Sequence, residues 1–160
     1  MCENILKFKG TWRNYQQRVL NHFEDYKSDG KIHIVAAPGS GKTTLGIELI
    51  RRLDQSALIL VPTITIRKQW IERIKEAFLN VDIDANLYLS EDLKDLKFIT
   101  VSTYQAIHSA MSQYQGIIEE DDDEFDKHQE EVDYHDYHFL DEIKKANIGI
   151  LCLDECHHLR

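Results

Sequence analysis

Residues Ala36 to Thr43 read AAPGSGKT, two glycines closing on a lysine and a hydroxyl within eight positions. The chemistry that needs this pattern is the holding of a polyphosphate. Several donors must converge on crowded anionic oxygens, and backbone N–H groups converge only where side chains leave room, so Gly39 and Gly41 suit such a loop. Pro38, Ser40 and Thr44 complete the stretch that would wrap the phosphates. A helix opening at Gly41 would add the positive end of its dipole, Lys42 would reach the β- and γ-phosphates, and the Thr43 hydroxyl would ligate magnesium. The plainer alternative is a glycine turn that only caps a strand, but G-x-G-K-T rarely arises by chance in a chain of this size. The first position of the general G-x-x-x-x-G-K-T pattern is alanine here, Ala36.

A second apolar run ends in LCLDECHHL, delivering Asp154 and Glu155 at its tip. Alone, an acidic pair after a strand is most simply a helix N-terminus enriched in acids. Beside a phosphate loop it takes on two distinct roles. Asp154 would hold the magnesium ion through water, and Glu155 would orient and deprotonate the water that attacks the γ-phosphate. Cys152, Cys156, His157 and His158 also invite a zinc reading, but there is no C-x-x-C pair and strand alternation turns Cys152 away from the loop residues. His128, His135 and His138, set among carboxylates, read as solvated polar surface.

The elements that must position these groups are visible as alternating patterns. KIHIVAA (31–37), ALILV (57–61), FITVS (98–102) and IGILCL (148–153) are continuously apolar or nearly so, as strands buried on both faces are. Between them, GKTTLGIELIRRL sets Leu45, Leu49 and Leu53 at helical spacing, and TITIRKQWIERIKEAFL does the same with Ile66, Trp70, Ile74 and Phe78. An N-terminal helix is expected from Trp12, Tyr15, Val19, Phe23 and Tyr26 along one face, and another begins at TYQAIHSAM. NVDIDANLYLSEDLKDLK reads as a loop with a short edge strand. The expected fold class is therefore α/β, a mostly parallel sheet flanked by helices. In such a sheet the carboxyl ends of the strands share one rim, so both motifs reach one ligand.

Composition limits the alternatives. The 160 residues, 42% hydrophobic, suffice for one domain with a core. No run approaches the length of a membrane span, and MCENILKFKG lacks the features of a secretory signal, so the reading is cytoplasmic, with no membrane partner. Three cysteines, an odd set, suit a reducing compartment. The net charge of −9 is local: from Glu119 to Asp136 there are eleven carboxylates against one lysine, leaving 17 acidic and 18 basic residues elsewhere. That segment, about 119–136, reads as a solvated acidic insertion, and setting it aside removes the charge objection to a nucleic-acid partner.

With both motifs placed, the chain resembles the first RecA-like domain of superfamily 2 helicases and translocases of the DExH kind. Within them it is most similar to the DNA-directed branch that includes restriction-enzyme translocating subunits and excision-repair helicases. The resemblance runs from about Gly10 to Arg160 and rests on five ordered motifs: RNYQ, AAPGSGKT, VPTITIRKQW, VSTYQ and DECH. It implies that Gln16, with Arg13 beside it, recognises adenine. It also implies that Pro62, Thr63, Gln69, Ser102 and Thr103 face nucleic acid, DNA before RNA, and that His157 couples ATP hydrolysis to the other motor domain. Taken alone, Thr63 reads as a helix cap and Gln69-Trp70 as a packed helix face.

Two parts of the family pattern are missing from these residues, the S-A-T motif that follows DECH and a second RecA-like domain. Residues 1–160 are accordingly expected to be a partial N-terminal ATP-binding domain, ending just after the DExH motif. The S-A-T strand normally lies between the phosphate-loop strand and the strand ending at Asp154. Without it the sheet must leave a gap or pair those two strands directly. The leading expectation is an ATP-dependent helicase domain, using ATP and magnesium, that by itself binds Mg-ATP weakly and does not unwind. A stand-alone P-loop ATPase or kinase and a non-catalytic interaction module built on the acidic segment are the alternatives.

Overall fold

The computed structural model describes residues 2–37, 39–115 and 147–154. Pro38, the acidic segment 119–136, Glu155, Cys156, His157, His158 and the histidines at 128, 135 and 138 lie outside them. The helices are α1 (Cys2–Ile5), α2 (Asn14–Asn21), α3 (Phe23–Asp29), α4 (Lys42–Leu53), α5 (Ile64–Ala77), α6 (Ala85–Tyr88) and α7 (Tyr104–Gln115). The strands are β1 (Ala57–Val61), β2 (Leu89–Ser90), β3 (Ile99–Thr103) and β4 (Ile150–Leu153). No described helix is long and apolar enough to cross a membrane.

The four strands form one parallel sheet in the order β2-β3-β1-β4. Both β1 and β3 are buried along their whole length; ALILV is accordingly apolar at every position, whereas β3 buries Thr100, Ser102 and Thr103 alongside Ile99 and Val101. Ala57, Ile59 and Val61 lie level with Ile99, Val101 and Thr103, and the apolar members pack under Ile47 and Ile50 of α4 and Trp70, Ile71 and Ile74 of α5. On the opposite face Leu58 and Leu60 meet Ile107 of α7 with Leu93, Tyr104 and Ile148. Helices thus cover both faces of the sheet.

Burial holds α5 more than intrinsic propensity does. Its first turn, Ile64-Thr65-Ile66, is β-branched throughout, a poor helix start. Two things offset this. Thr63 caps the helix, its Oγ1 accepting from the Ile66 N–H at 3.1 Å, and Trp70, Ile71 and Ile74 are buried at a spacing that makes one face. Each such side chain, taken out of water, contributes roughly 1.5–3 kcal/mol. The helix α7 is capped in the same way, Thr103 Oγ1 accepting from the Ala106 N–H at 3.0 Å.

Two expectations are corrected. The N-terminal helix is broken at His22 into α2 and α3. The apolar face survives the break, since Trp12, Tyr15, Val19 and Phe23 still pack on Leu20, Leu45 and Leu49. More consequentially, residues 31–37 are not a strand. No described strand lies beside them, so their backbone has no ladder to join; Val35 is 86% exposed, and only Ile34 packs inward, against the Leu20, Leu45 and Leu49 cluster. Neither a gap between two strands nor their direct pairing is seen, because the phosphate-loop run forms no strand and β4 pairs with β1 alone among the described strands. On that side β4 is the last strand among the described residues, and Leu151 is 53% exposed.

The remaining differences are additions. The short helix α1 leads into Leu6, which bridges Leu79 at the end of α5, and α6 precedes the two-residue edge strand β2 within the segment read as a loop.

Candidate active site

The phosphate loop is built as its glycines demand. Gly39 and Gly41 stand at φ +75° and +90°, where an L side chain is strained. At Gly41 a Cβ would also sit 2.5 Å from the Gln16 amide nitrogen, so a larger residue would have to displace the amide that holds the Gly41 carbonyl. From Gly41 the chain turns into α4, whose first residues are Lys42, Thr43 and Thr44. The free N–H groups of that helix start, with its dipole, face whatever the loop holds.

Three consecutive carbonyls of the loop are held from outside by the segment that enters α2. Arg13 donates from its guanidinium to the Gly39 carbonyl at 3.1 Å, Tyr15 from its hydroxyl to the Ser40 carbonyl at 2.6 Å, and Gln16 from Nε2 to the Gly41 carbonyl at 3.0 Å. Turning these carbonyls outward directs the Gly41 and Lys42 N–H groups the other way, the polarity an anion requires, while the Ser40 N–H donates to the Ala37 carbonyl at 3.2 Å. Gln16 is only 3% exposed, and its Oε1 accepts from the Arg13 backbone N–H at 2.8 Å.

Asp154 follows β4 at the carboxyl rim and is fixed at three points. Its backbone N–H donates to the Leu60 carbonyl at 2.9 Å. Its backbone carbonyl accepts from the Tyr104 hydroxyl at 3.0 Å. Its carboxylate Oδ2 accepts from the Trp70 indole N–H at 2.8 Å. The other oxygen, Oδ1, makes no hydrogen bond to a described residue. Behind Asp154, burial pushes the Cys152 thiol up to about 12, with the Asp154 charge adding to the effect, so this cysteine is a neutral, inert part of the sheet.

Lys42, Thr43, Thr44, Gln16, Arg13, Gly39, Gly41 and Asp154 all line one open pocket of about 540 Å³, a size that accepts a nucleotide. Glu72, Arg73 and Glu76 of α5 also line it, as does Phe8, which stacks on Trp12 at 3.9 Å. The oxygen donors present fit magnesium, which takes one or two protein oxygens and otherwise keeps water and phosphate ligands. Thr43 offers a hydroxyl and Asp154 the unengaged carboxylate oxygen.

The residues expected to meet nucleic acid divide. Pro62 and Thr63 follow β1, and Ser102 and Thr103 end β3, so these segments are neighbours on the same carboxyl rim. The hydroxyls of Thr63 and Thr103 are engaged as caps. Ser102 is 1% exposed, and its buried Oγ has no hydrogen-bond partner among the described residues. Gln69 lies on the wall of the nucleotide-sized pocket together with Lys42 and Asp154. Sequence reasoning missed Trp70, Tyr104 and Tyr15. Each sits inside or beside a recognised motif, and the available signal was that a buried indole N–H or phenol must find an acceptor.

Sheet, phosphate loop and acidic strand end define a RecA-like P-loop domain of the superfamily 2 helicase kind. Residues 9–160 match the family described as "Type III restriction enzyme, res subunit", and the chain belongs to it. It is 30% identical over 105 residues, 66% of its length, to "DNA 3'-5' translocase XPB2" of Sulfurisphaera tokodaii. Over 93 residues, 58% of its length, it is 29% identical to "Putative DNA 3'-5' helicase Rad25" of Haloarcula marismortui. Over 64 residues, 39% of its length, it is 34% identical to "Putative ATP-dependent RNA helicase QP509L" of African swine fever virus. The matches cover 22%, 14% and 13% of these relatives, so the chain spans about a fifth of their length or less.

Proposed function

We propose that this chain is the ATP-binding portion of a DNA helicase or translocase. The observation that carries the reading is the convergence of the phosphate-loop helix start and Asp154 on one pocket, with Gln16 and Arg13 clamped to the loop beside it. The inward N–H groups and Lys42 bind the β- and γ-phosphates. Thr43 and the Asp154 oxygen that has no hydrogen bond to a described residue would hold magnesium, which would supply neutralisation of the phosphate charge. Glu155, next in sequence, orients the attacking water and takes its proton.

Adenine recognition is supported by what Gln16 has left. An amide has two N–H donors and two acceptor lone pairs. One donor goes to Gly41 and one lone pair to the Arg13 N–H. The remaining donor and acceptor match the N7 acceptor and N6 donor that adenine presents side by side, an arrangement guanine does not offer.

The strand is assigned to the rim above β1 and β3, where the starts of α5 and α7 place backbone N–H groups and the Pro62–Thr63 and Ser102–Thr103 segments. The placement of Gln69 supports a nucleotide-side role. DNA is favoured over RNA because the two longer matches are to proteins described as acting on DNA. Hydrolysis would be completed by a second RecA-like domain in the complete protein, whose arginine finger supplies a factor of about 10³ to 10⁵ in rate. Hydrolysis coupled to movement is then the activity of the whole, and His157 the link between the domains. A cytoplasmic location agrees with this reading.

The test is titration of the chain with a fluorescent ATP analogue, with and without Mg²⁺. Binding that tightens with Mg²⁺ and is lost in Lys42→Ala is expected, with no strand separation by these 160 residues. Strand separation that Lys42→Ala abolishes would overturn the need for a second domain.

A further inference from the structure

The contact that no motif accounts for is the one between Trp70 and Asp154. An indole has one donor and no acceptor, and Trp70 is 3% exposed, so its N–H must be met inside the protein. It is met by a carboxylate oxygen, Oδ2 of Asp154, at 2.8 Å, across 84 residues of sequence. The far edge of the same ring rests on α4: a Cβ built on Gly46 would stand 3.0 Å from Trp70 Cη2. Gly46 lies one helical turn beyond Lys42 and Thr43. One rigid side chain therefore spans from the helix that carries the phosphate loop to the carboxylate at the end of β4. The residue that would orient Asp154 comes from α5, which belongs to neither motif.

We propose that Trp70 is a positioning residue for the metal-holding carboxylate. Its N–H occupies Oδ2, which fixes the carboxylate rotamer and presents Oδ1 toward the pocket. Its ring, seated on Gly46, sets how far that oxygen stands from Thr43. The inference rests on the reading that Thr43 and Asp154 hold magnesium beside a nucleotide. A tryptophan that merely filled the core would need the ring and not the N–H.

The measurement is nucleotide affinity by fluorescence titration with Mg²⁺ and with EDTA, taking the ratio of the two. Trp70→Phe keeps an aromatic ring over Gly46 and deletes the donor. Loss of a group that orients a metal ligand costs about 10- to 100-fold in metal affinity, and the ratio is expected to fall by that factor. Asp154→Asn is expected to abolish the Mg²⁺ enhancement, and adding Trp70→Phe to it should change the ratio no further. In the unsubstituted chain, the Trp70 indole ¹H–¹⁵N resonance should move when Mg²⁺ joins bound ADP, and it should move in Asp154→Asn.

A folded Trp70→Phe whose ratio stays within twofold of the unsubstituted chain would overturn the proposal. So would an indole resonance indifferent to both Mg²⁺ and Asp154→Asn, which decides the matter even if Trp70→Phe does not fold. If the unsubstituted chain shows no Mg²⁺-dependent nucleotide binding, the nucleotide reading fails and this inference with it. The first two outcomes overturn the inference alone.

Discussion

Replacing Gln16 by alanine removes, in one step, the amide that ties the entering segment to the phosphate loop. The side chain is 3% exposed and makes two hydrogen bonds, from the Arg13 N–H at 2.8 Å and to the Gly41 carbonyl at 3.0 Å. At about 1 kcal/mol net each, the pair contributes about 2 kcal/mol. Two buried methylenes, one of them kept in part by the alanine Cβ, add roughly 1 kcal/mol. The site borders an open pocket, so water can reach the Gly41 carbonyl once the amide is gone, which favours the lower part of that range. A loss of about 2 kcal/mol is expected in urea denaturation without nucleotide.

The same variant should lose the preference for ATP over GTP, by about tenfold or more, because the spare donor and acceptor that fit adenine disappear with the amide. Gln16→Glu separates the two bonds. It keeps an acceptor for the Arg13 N–H but sets a carboxylate against the Gly41 carbonyl, so it should be no more stable than Gln16→Ala. A stability loss under about 0.5 kcal/mol together with an unchanged ATP-to-GTP ratio would refute both the packing argument and the recognition argument.

Three further outcomes follow from the structure. Glu48, 2% exposed, accepts from Arg51 at 2.6 and 3.0 Å and from Arg52 at 3.0 Å; since both arginines keep some contact with water, Glu48→Ala should cost about 2–3 kcal/mol, below the usual figure for a broken buried pair, seen as a melting temperature lower by about 5–10 °C. Gly41→Ala, at φ +90° and facing the Gln16 amide, should lower nucleotide affinity by at least about tenfold in the same fluorescence titration, the equivalent of 1–2 kcal/mol of strain. Because the Cys152 thiol is raised from 9.0 to about 12 in the folded chain, the fold favours the neutral form; stability is fully present below about pH 9 and declines between pH 9 and 12, and denaturation curves of Cys152→Ala should lack that decline.

Legibility in the sequence followed locality. The runs at 57–61, 98–102 and 148–153 signal β1, β3 and β4 by their apolar, β-branched content, although burial on both faces holds for β1 and β3 and not for β4. The helices α4 and α5 were visible from leucine and isoleucine spacing. Residues 31–37 carry the same apolar signal and are not a strand, since pairing depends on a neighbour that a local pattern cannot report. The break at His22 and the four-residue α1 are equally invisible, being decided by packing over one or two residues. At the site, AAPGSGKT and DECH were read from their types and spacing. What orients them was not, because the bonds from Trp70 and Tyr104 to Asp154 span 84 and 50 residues. Hydroxyl residues carry two signals at once. The side chains of Thr63 and Thr103 cap the helix starts that follow them, a role the sequence shows for Thr63 and does not separate from ligand contact.

The Gly46–Trp70 contact also constrains which sequences this site can reach by single substitutions. A glycine in the middle of α4 costs about 1 kcal/mol against alanine, so drift toward alanine at position 46 would ordinarily be favoured. Here the added methyl would press on an indole 3.0 Å away. A smaller ring at position 70 would relieve the pressure, but only by giving up the N–H that Asp154 accepts. Neither position can change first without loss, and changing both strands the carboxylate. The two residues, 24 apart in sequence and in different helices, form an epistatic lock, and a full scan of double substitutions should find it as an isolated peak with no neighbouring path leading away.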